Sequence, residues 1–271
     1  MSVRKTVSGS EFGKLAADLA EIVSRWRFWL RLGWEDVARQ YRRSFLGPVW
    51  ISVYTGIFVL TVGLIGADLF SQDMRSYLPY FASGMVFFGF FSAVTTEACA
   101  VFTNAEGYLR QAATSKMIFV CRLLVKNVIV LLHNFVIIIL VFLWAGILPN
   151  IDWIGFFAGL VWFLVAAFFI VPVIGVVATR FRDVPLMIAS AMQTLFFLTP
   201  VFWRVESLSP EVRSLLMFNP FAVYLEIIRQ PLLGQSPPEA LIFASAGMLL
   251  LAMVCFAIVF TFSRRKIVYW L

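Results

Sequence analysis

Charge is what this chain has least of. Only 14% of its 271 residues are Asp, Glu, Lys or Arg, against about 25% in an ordinary soluble domain. Hydrophobic residues make up 61%. This excludes a soluble globular fold and predicts an all-α polytopic membrane protein, whose spans satisfy their own backbone hydrogen bonds in lipid. Histidine is scarcer still. The single His133 leaves no paired-histidine zinc motif, and no Gly-x-Ser-x-Gly elbow occurs. The three cysteines, Cys99, Cys121 and Cys255, stand far apart in or near apolar segments. They offer neither metal spacing nor a disulfide framework and read as buried small hydrophobes. Gly9-Ser10-Glu11-Phe12-Gly13-Lys14-Leu15 resembles a phosphate loop only faintly. It is one residue short between its glycines, ends in Leu and follows no strand. The first 45 residues are too charged for a cleavable signal peptide. Few charges fall within the apolar segments and no inverted repeat is evident, which argues against ion-driven transport. The chain thus reads as a channel-forming subunit without catalytic residues, metal or cofactor of its own, driven by a separate engine.

The net charge of +7 does not indicate nucleic acid, because the basic residues sit in short loops and tails between apolar runs. Six runs approach or exceed the roughly 20 residues needed to cross about 30 Å: residues 47–67, 78–101, 118–148, 153–178, 184–203 and 240–262. The positive-inside rule orients them. Of the 22 Lys and Arg, 18 fall in 1–46, in the loop after the second run and the start of the third, at Arg180 and Arg182, and at 264–266. Only Arg75, Arg204, Arg213 and Arg229 fall on the other side. The expectation is a cytoplasmic segment 1–46, a six-span domain 47–271 and both termini in the cytoplasm.

Leu15, Leu19, Ile22, Trp26 and Trp29 form one apolar stripe at helical spacing, which Gly33 breaks. This amphipathic helix, 15–31, suits either the membrane interface or a groove on the protein's own spans. The basic turn 39–50 follows. Arg39, Arg42 and Arg43 pin it at headgroup depth, Tyr41 and Trp50 are interfacial rings, and Pro48 suits a first helical turn. Residues 103–117 are polar and long enough for a short helix, with Asn104 as a cap and Glu106 in the first turn. Residues 204–238, interrupted at Asn219-Pro220, are expected as short helices dipping into the outer leaflet beside a pathway. Glu97 is placed to pair with Arg110 or Arg122, Glu226 and Arg229 to form a surface pair, His133 and Asn134 to hydrogen-bond between helices, and Gly155-x-x-x-Gly159 to pack helices.

Tyr41-Arg42-Arg43-Ser44-x-Leu46-Gly47-Pro48-x-Trp50 resembles the membrane subunits of ABC transporters that export polysaccharides. So do, in order, Tyr77-Leu78-Pro79-Tyr80, His133-Asn134, Arg180-Phe181-Arg182-Asp183-Val184-Pro185 and Thr199-Pro200. Asn219-Pro220-Phe221, Arg229-Gln230-Pro231-Leu232-Leu233-Gly234 and Tyr269-Trp270 complete the series. The last three lie closest to the O-antigen branch, beside teichoic-acid and capsule exporters. The resemblance implies a bacterial inner-membrane permease, acting as two copies with two copies of a nucleotide-binding ATPase that holds the ATP and Mg. It implies a substrate glycan on undecaprenyl diphosphate. Arg39, Tyr41, Arg42 and Arg43 would lie at its lipid entrance, where phosphate recognition stands beside simple anchoring. Asn104, Glu106, Tyr108, Arg110, Arg182 and Asp183 would contact the ATPase, and Asn219, Pro220, Glu226 and Arg229 would form a periplasmic gate. Other readings are a drug or lipid exporter of the same architecture and a polyprenyl-phosphate glycosyltransferase. The latter would need clustered carboxylates at a membrane face, and only scattered ones exist.

Overall fold

A computed structural model describes residue 18 and residues 20–42, 49–111, 114–263 and 266–271. Leu15, Leu19, Arg43, Pro48, the 9–15 loop and Arg264-Arg265 lie outside the described residues. Helices and turns, and no strand, make up the described chain. In order they are α1 (Trp26–Gln40), α2 (Val49–Leu69), α3 (Met74–Ala98), α4 (Glu106–Gln111), α5 (Met117–Ala145), α6 (Trp153–Arg180), α7 (Val184–Leu198), α8 (Pro210–Leu216), α9 (Pro220–Leu232), α10 (Glu239–Ser263) and α11 (Ile267–Trp270). Single 3₁₀ turns at Thr103–Ala105, Leu148–Asn150 and Val205–Ser207 join some of them.

Among the described residues five helices, α2, α3, α5, α6 and α10, are long and apolar enough to cross a membrane. The run expected at 184–203 gives a helix of only 15 residues, α7, about 22 Å at 1.5 Å per residue. Pro200 disfavours helical geometry at Thr199, whose φ of −101° and ψ of 139° are extended. The run expected at 78–101 starts four residues earlier, because Asp73 accepts from the Ser76 N–H at 3.2 Å and caps α3 there.

α3 is the hub. Burial covers 72% of its apolar window but only 22% of those of α2, α5 and α10, so the outer helices leave most of their apolar surface outside the bundle. Phe81, Phe87 and Phe91 on α3, with Phe119 and Phe142 on α5, are almost fully buried. α3 packs on α2, α5, α6, α7 and α9.

The helix before the first span differs from its expected form in extent. A turn at Arg25 separates helical residues 20–24 from α1, and α1 then runs through Gly33 to Gln40. At Gly33 the helix comes close to α5. A Cβ there would lie 2.9 Å from Val125 Cγ1 and 3.0 Å from the Arg122 carbonyl oxygen. Absence of a side chain thus admits the neighbouring helix rather than ending this one. Leu32 and Val37 are buried in the same contact, while Trp26 and Trp34 stay exposed, so α1 is docked on its own bundle. Gly33→Leu should force the two helices apart and lower stability by about 1–3 kcal/mol. A fall in melting temperature of the detergent-solubilised protein checks this, and an unchanged melt contradicts the packing.

Candidate functional site

Charged side chains gather at the two ends of the bundle. At the first, Arg122 and Lys126 stand one turn apart on α5. Arg122 grips Asp36 of α1 with two bonds, Nε to Oδ2 and Nη2 to Oδ1, each 2.6 Å. The planar guanidinium makes such a pair geometrically specific. Lys126 Nζ reaches Glu97 Oε1 of α3 at 2.6 Å, and Asn127 Nδ2 donates to the other oxygen at 2.9 Å. Glu97 therefore pairs with neither Arg110 nor Arg122. Arg122 lies nearer the rim and is taken by α1, and Arg110 pairs within α4 to Glu106 at 2.8 Å.

These pairs wall an open cleft of about 620 Å³, to which Asp36, Arg39, Glu97, Asn104, Arg122 and Lys126 all contribute. Arg39 is exposed and its Nη2 donates to Glu35 at 3.1 Å. Hydrogen bonds from Arg31 and then Arg39 hold the Glu35 carboxyl below the usual carboxylate range. Tyr41 is half-buried, and burial pushes its phenol up. Arg42 is exposed beyond the end of α1, and Arg43 lies outside the described residues. Of the expected entrance residues that are described, only Arg39 lines the cleft; Asp36, Arg122 and Lys126 join it from outside that group.

α4 projects from the same end. Leu109 and Ala105 are buried and anchor the elbow. Glu106 opens the helix as expected, whereas Asn104 sits exposed inside the preceding 3₁₀ turn rather than at a capping position directly before α4. Tyr108 is partly exposed, its ring 5.8 Å from Phe119. Arg182 and Asp183 are exposed at the start of α7. The two groups occupy separate loops, and α11 packs against both α4 and α6.

The opposite end is built around Arg229 of α9, which is fully buried. Its Nη1 donates to the Pro200 carbonyl at 2.7 Å and its Nη2 to Tyr80 Oη at 2.7 Å and to Glu226. Its guanidinium lies 3.6 Å from the Tyr80 ring centroid. Tyr80 in turn donates to the Trp203 carbonyl at 2.9 Å, and Gln230 donates to Glu226 at 3.2 Å. The Glu226–Arg229 pair expected at the surface is therefore internal. α9 lies against α3, α6 and α10, which turns the face carrying both residues inward. Asn219 fixes the start of α9: its Oδ1 accepts from the Phe221 and Ala222 N–H groups at 3.0 and 3.3 Å, and its Nδ2 donates to Thr199 Oγ1 at 3.1 Å. Pro220 fills the first helical position. Gly159 admits the helix, since a Cβ there would meet the Ile227 carbonyl at 3.0 Å, which gives the Gly155-x-x-x-Gly159 pattern its packing role. An apolar cavity of about 320 Å³ between α3, α6, α9 and α10 lies beside Pro220, Phe221 and Tyr224.

His133 does not bridge helices through its ring, whose Nδ1 is 2.7 Å from the Ile129 carbonyl of its own helix. The interhelical bond there runs from Ser52 Oγ to the His133 backbone carbonyl at 2.9 Å. Sequence reasoning missed Tyr80 and Asp36 as partners. The rule that a charge in an apolar helix needs a partner flags Arg229 itself, but the ring it reaches is 149 positions away.

The model of the family described as ABC-2 type transporter matches residues 28–233, a stretch that holds both charged ends. A comparison with curated proteins finds no match.

Arg229→Met would leave Glu226 buried without its cation. Removing one partner of a buried pair costs about 3–5 kcal/mol, so this variant should melt well below wild type. Adding Glu226→Gln should restore much of the loss. A double variant no more stable than Arg229→Met would contradict the pairing.

Proposed function

We propose a substrate and a route for this chain, which belongs to the ABC-2 type transporter family. Members of that family are membrane subunits of ABC transporters, so this chain is a transport subunit that works with an ATPase. The substrate we propose is a polysaccharide of the O-antigen kind carried on undecaprenyl diphosphate, moved from the cytoplasmic to the periplasmic side of a bacterial inner membrane. The observation that carries this reading is the cleft where Arg39, Arg122 and Lys126 face open space at the basic end. A lipid diphosphate needs several cations at headgroup depth, and Arg presents forked donors that match phosphate oxygens. Each of these cations already has a carboxylate neighbour, Glu35, Asp36 or Glu97. The empty cleft is thus charge-balanced, and an entering diphosphate would exchange with those carboxylates. Arg39, Tyr41 and Arg42 form the outer lip of this entrance, and Arg43, outside the described residues, is assigned to it by the motif alone.

The rest of the route follows the same axis. Residues 1–46 are the entrance segment and 47–271 the transmembrane domain, with α7 continued by 199–204 as a sixth crossing and both termini in the cytoplasm. Two copies form the channel, each with one ATPase subunit, and ATP and Mg belong to that partner. Asn104, Glu106, Tyr108 and Arg110 on the elbow, with Arg182 and Asp183, receive its stroke. Asn219, Pro220, Glu226 and Arg229 hold the exit helix α9. This reading is supported by the run of short motifs shared with polysaccharide exporters and by the inward placement of α9.

A clean deletion of the gene should leave the glycan synthesised but trapped inside, seen as loss of surface glycan with intact intracellular lipid-linked polymer. Normal surface glycan would contradict the substrate. Arg110→Glu, which places a second acid beside Glu106, should leave ATP hydrolysis running while export falls. Export in proportion to hydrolysis would move the contact elsewhere.

A further inference from the structure

α11 is a short helix with an unusual division of its side chains. Ile267 is fully buried and ties the helix to α6 and α4. Trp270 lies against Arg180, whose guanidinium is 5.8 Å from the Trp270 ring centroid and 5.5 Å from that of Phe181. Tyr269 is left outside at 86% exposure, the highest of any large apolar or aromatic side chain among the described residues. Tyr108 on α4 and Phe181, the residue directly after the end of α6, are also exposed. One exposed ring is ordinary on a protein surface. Three on elements fastened to one another are a patch of the kind that marks an interface.

The patch does not suit hydrocarbon. Glu106, Arg110, Arg182, Asp183 and Lys266 share these elements, and Arg110, Arg182, Asp183 and Lys266 are exposed. Charges of both signs at one place are costly in lipid and ordinary against a protein surface. Aromatic anchors ringed by charged side chains are the composition of protein–protein contacts.

We infer that α11 is a third part of the ATPase docking surface, with Tyr269 as an anchor that engages the nucleotide-binding subunit between α4 and the Phe181–Asp183 loop. The inference rests on the reading of α4 as the coupling elbow and extends it to residues beyond that reading. α11 touches both α4 and α6, so a subunit seated on Tyr269 acts on both loops through one rigid contact. The Arg180 guanidinium, held between two rings, fixes the angle at which α11 presents Tyr269.

The test uses the full chain in membranes of its host, with the host's ABC ATPase that co-purifies with the unaltered protein, identified by mass spectrometry and by azido-ATP labelling. Benzoylphenylalanine at position 269 should cross-link to that ATPase. Tyr269→Asp should retain about tenfold less of it, the size of one interface anchor of about 1.4 kcal/mol, and Tyr269→Phe should retain normal amounts. Tyr269 is exposed, so protein level and melting temperature should not change. Cross-linking to lipid alone, with normal ATPase retention by Tyr269→Asp and loss by Tyr108→Asp, overturns the role of α11 and leaves the elbow standing. Failure of the unaltered chain to hold any ABC ATPase overturns both.

Discussion

In a molecule this apolar, a charged group must find its partner inside the bundle, and a few ion pairs decide where the helices stop. Three of them organise the structure. Arg122–Asp36 lays α1 along α5, Lys126–Glu97 fixes the end of α3, and Arg229, neutralised by Glu226 on its own helix, holds α9 within the bundle through Tyr80 and the Pro200 carbonyl. Such pairs contribute little net stability, because desolvation offsets most of the attraction. Their consequence is positional. α1 sliding along α5 by one turn would leave Asp36 and Arg122 unpaired, and α9 turned outward would part Arg229 from Tyr80 and the Pro200 carbonyl. Steric contacts agree with the charges, since Gly33 and Gly159 admit the helices at the places where the pairs set their register.

The same pairs divide the molecule into two chemically different ends joined by one rod. α3 has 25 residues, about 37 Å at 1.5 Å per residue. It carries Tyr80, a partner of Arg229, near its start and Glu97, the partner of Lys126, near its finish. Burial along most of its length leaves it little freedom to bend independently. On the proposed reading of α4 as the coupling elbow, a load there would pass the turns at residues 99–105 and reach α9 along α3.

Much of the fold was legible because hydropathy and capping are local. The apolar runs gave the long helices to within a few residues, and Asn219-Pro220 announced the start of α9 through side-chain and backbone chemistry contained in a few positions. Most of the failures share one cause, which is that packing partners are distant in sequence. Gly33 looked like a breaker because propensity alone counts against glycine in a helix, while its reason for being there is Val125 on another helix. Arg229 and Glu226 looked like a surface pair because i,i+3 spacing says nothing of which face is covered. Arg122 reached Asp36, 86 positions back, where no spacing rule applies. The short α7 was hidden because a window average runs through Thr199-Pro200 without registering the extended backbone. Of the candidate site, the basic character of the entrance was readable, but the cleft itself was not. It is made by α1, α3 and α5 meeting, and two of its three cations lie outside the turn that drew attention.

The central claim is that this subunit carries a diphosphate-linked glycan across a membrane when its ATPase turns over. The most direct measurement reconstitutes the chain with that ATPase in proteoliposomes loaded on the outer face with undecaprenyl-diphosphate glycan. Protection of the glycan from an external glycosidase is then followed after adding ATP to complexes whose ATPase faces outward. ATP-dependent protection of the glycan, absent with a non-hydrolysable analogue, is the predicted result. ATP hydrolysis with no protection of the glycan would contradict the account.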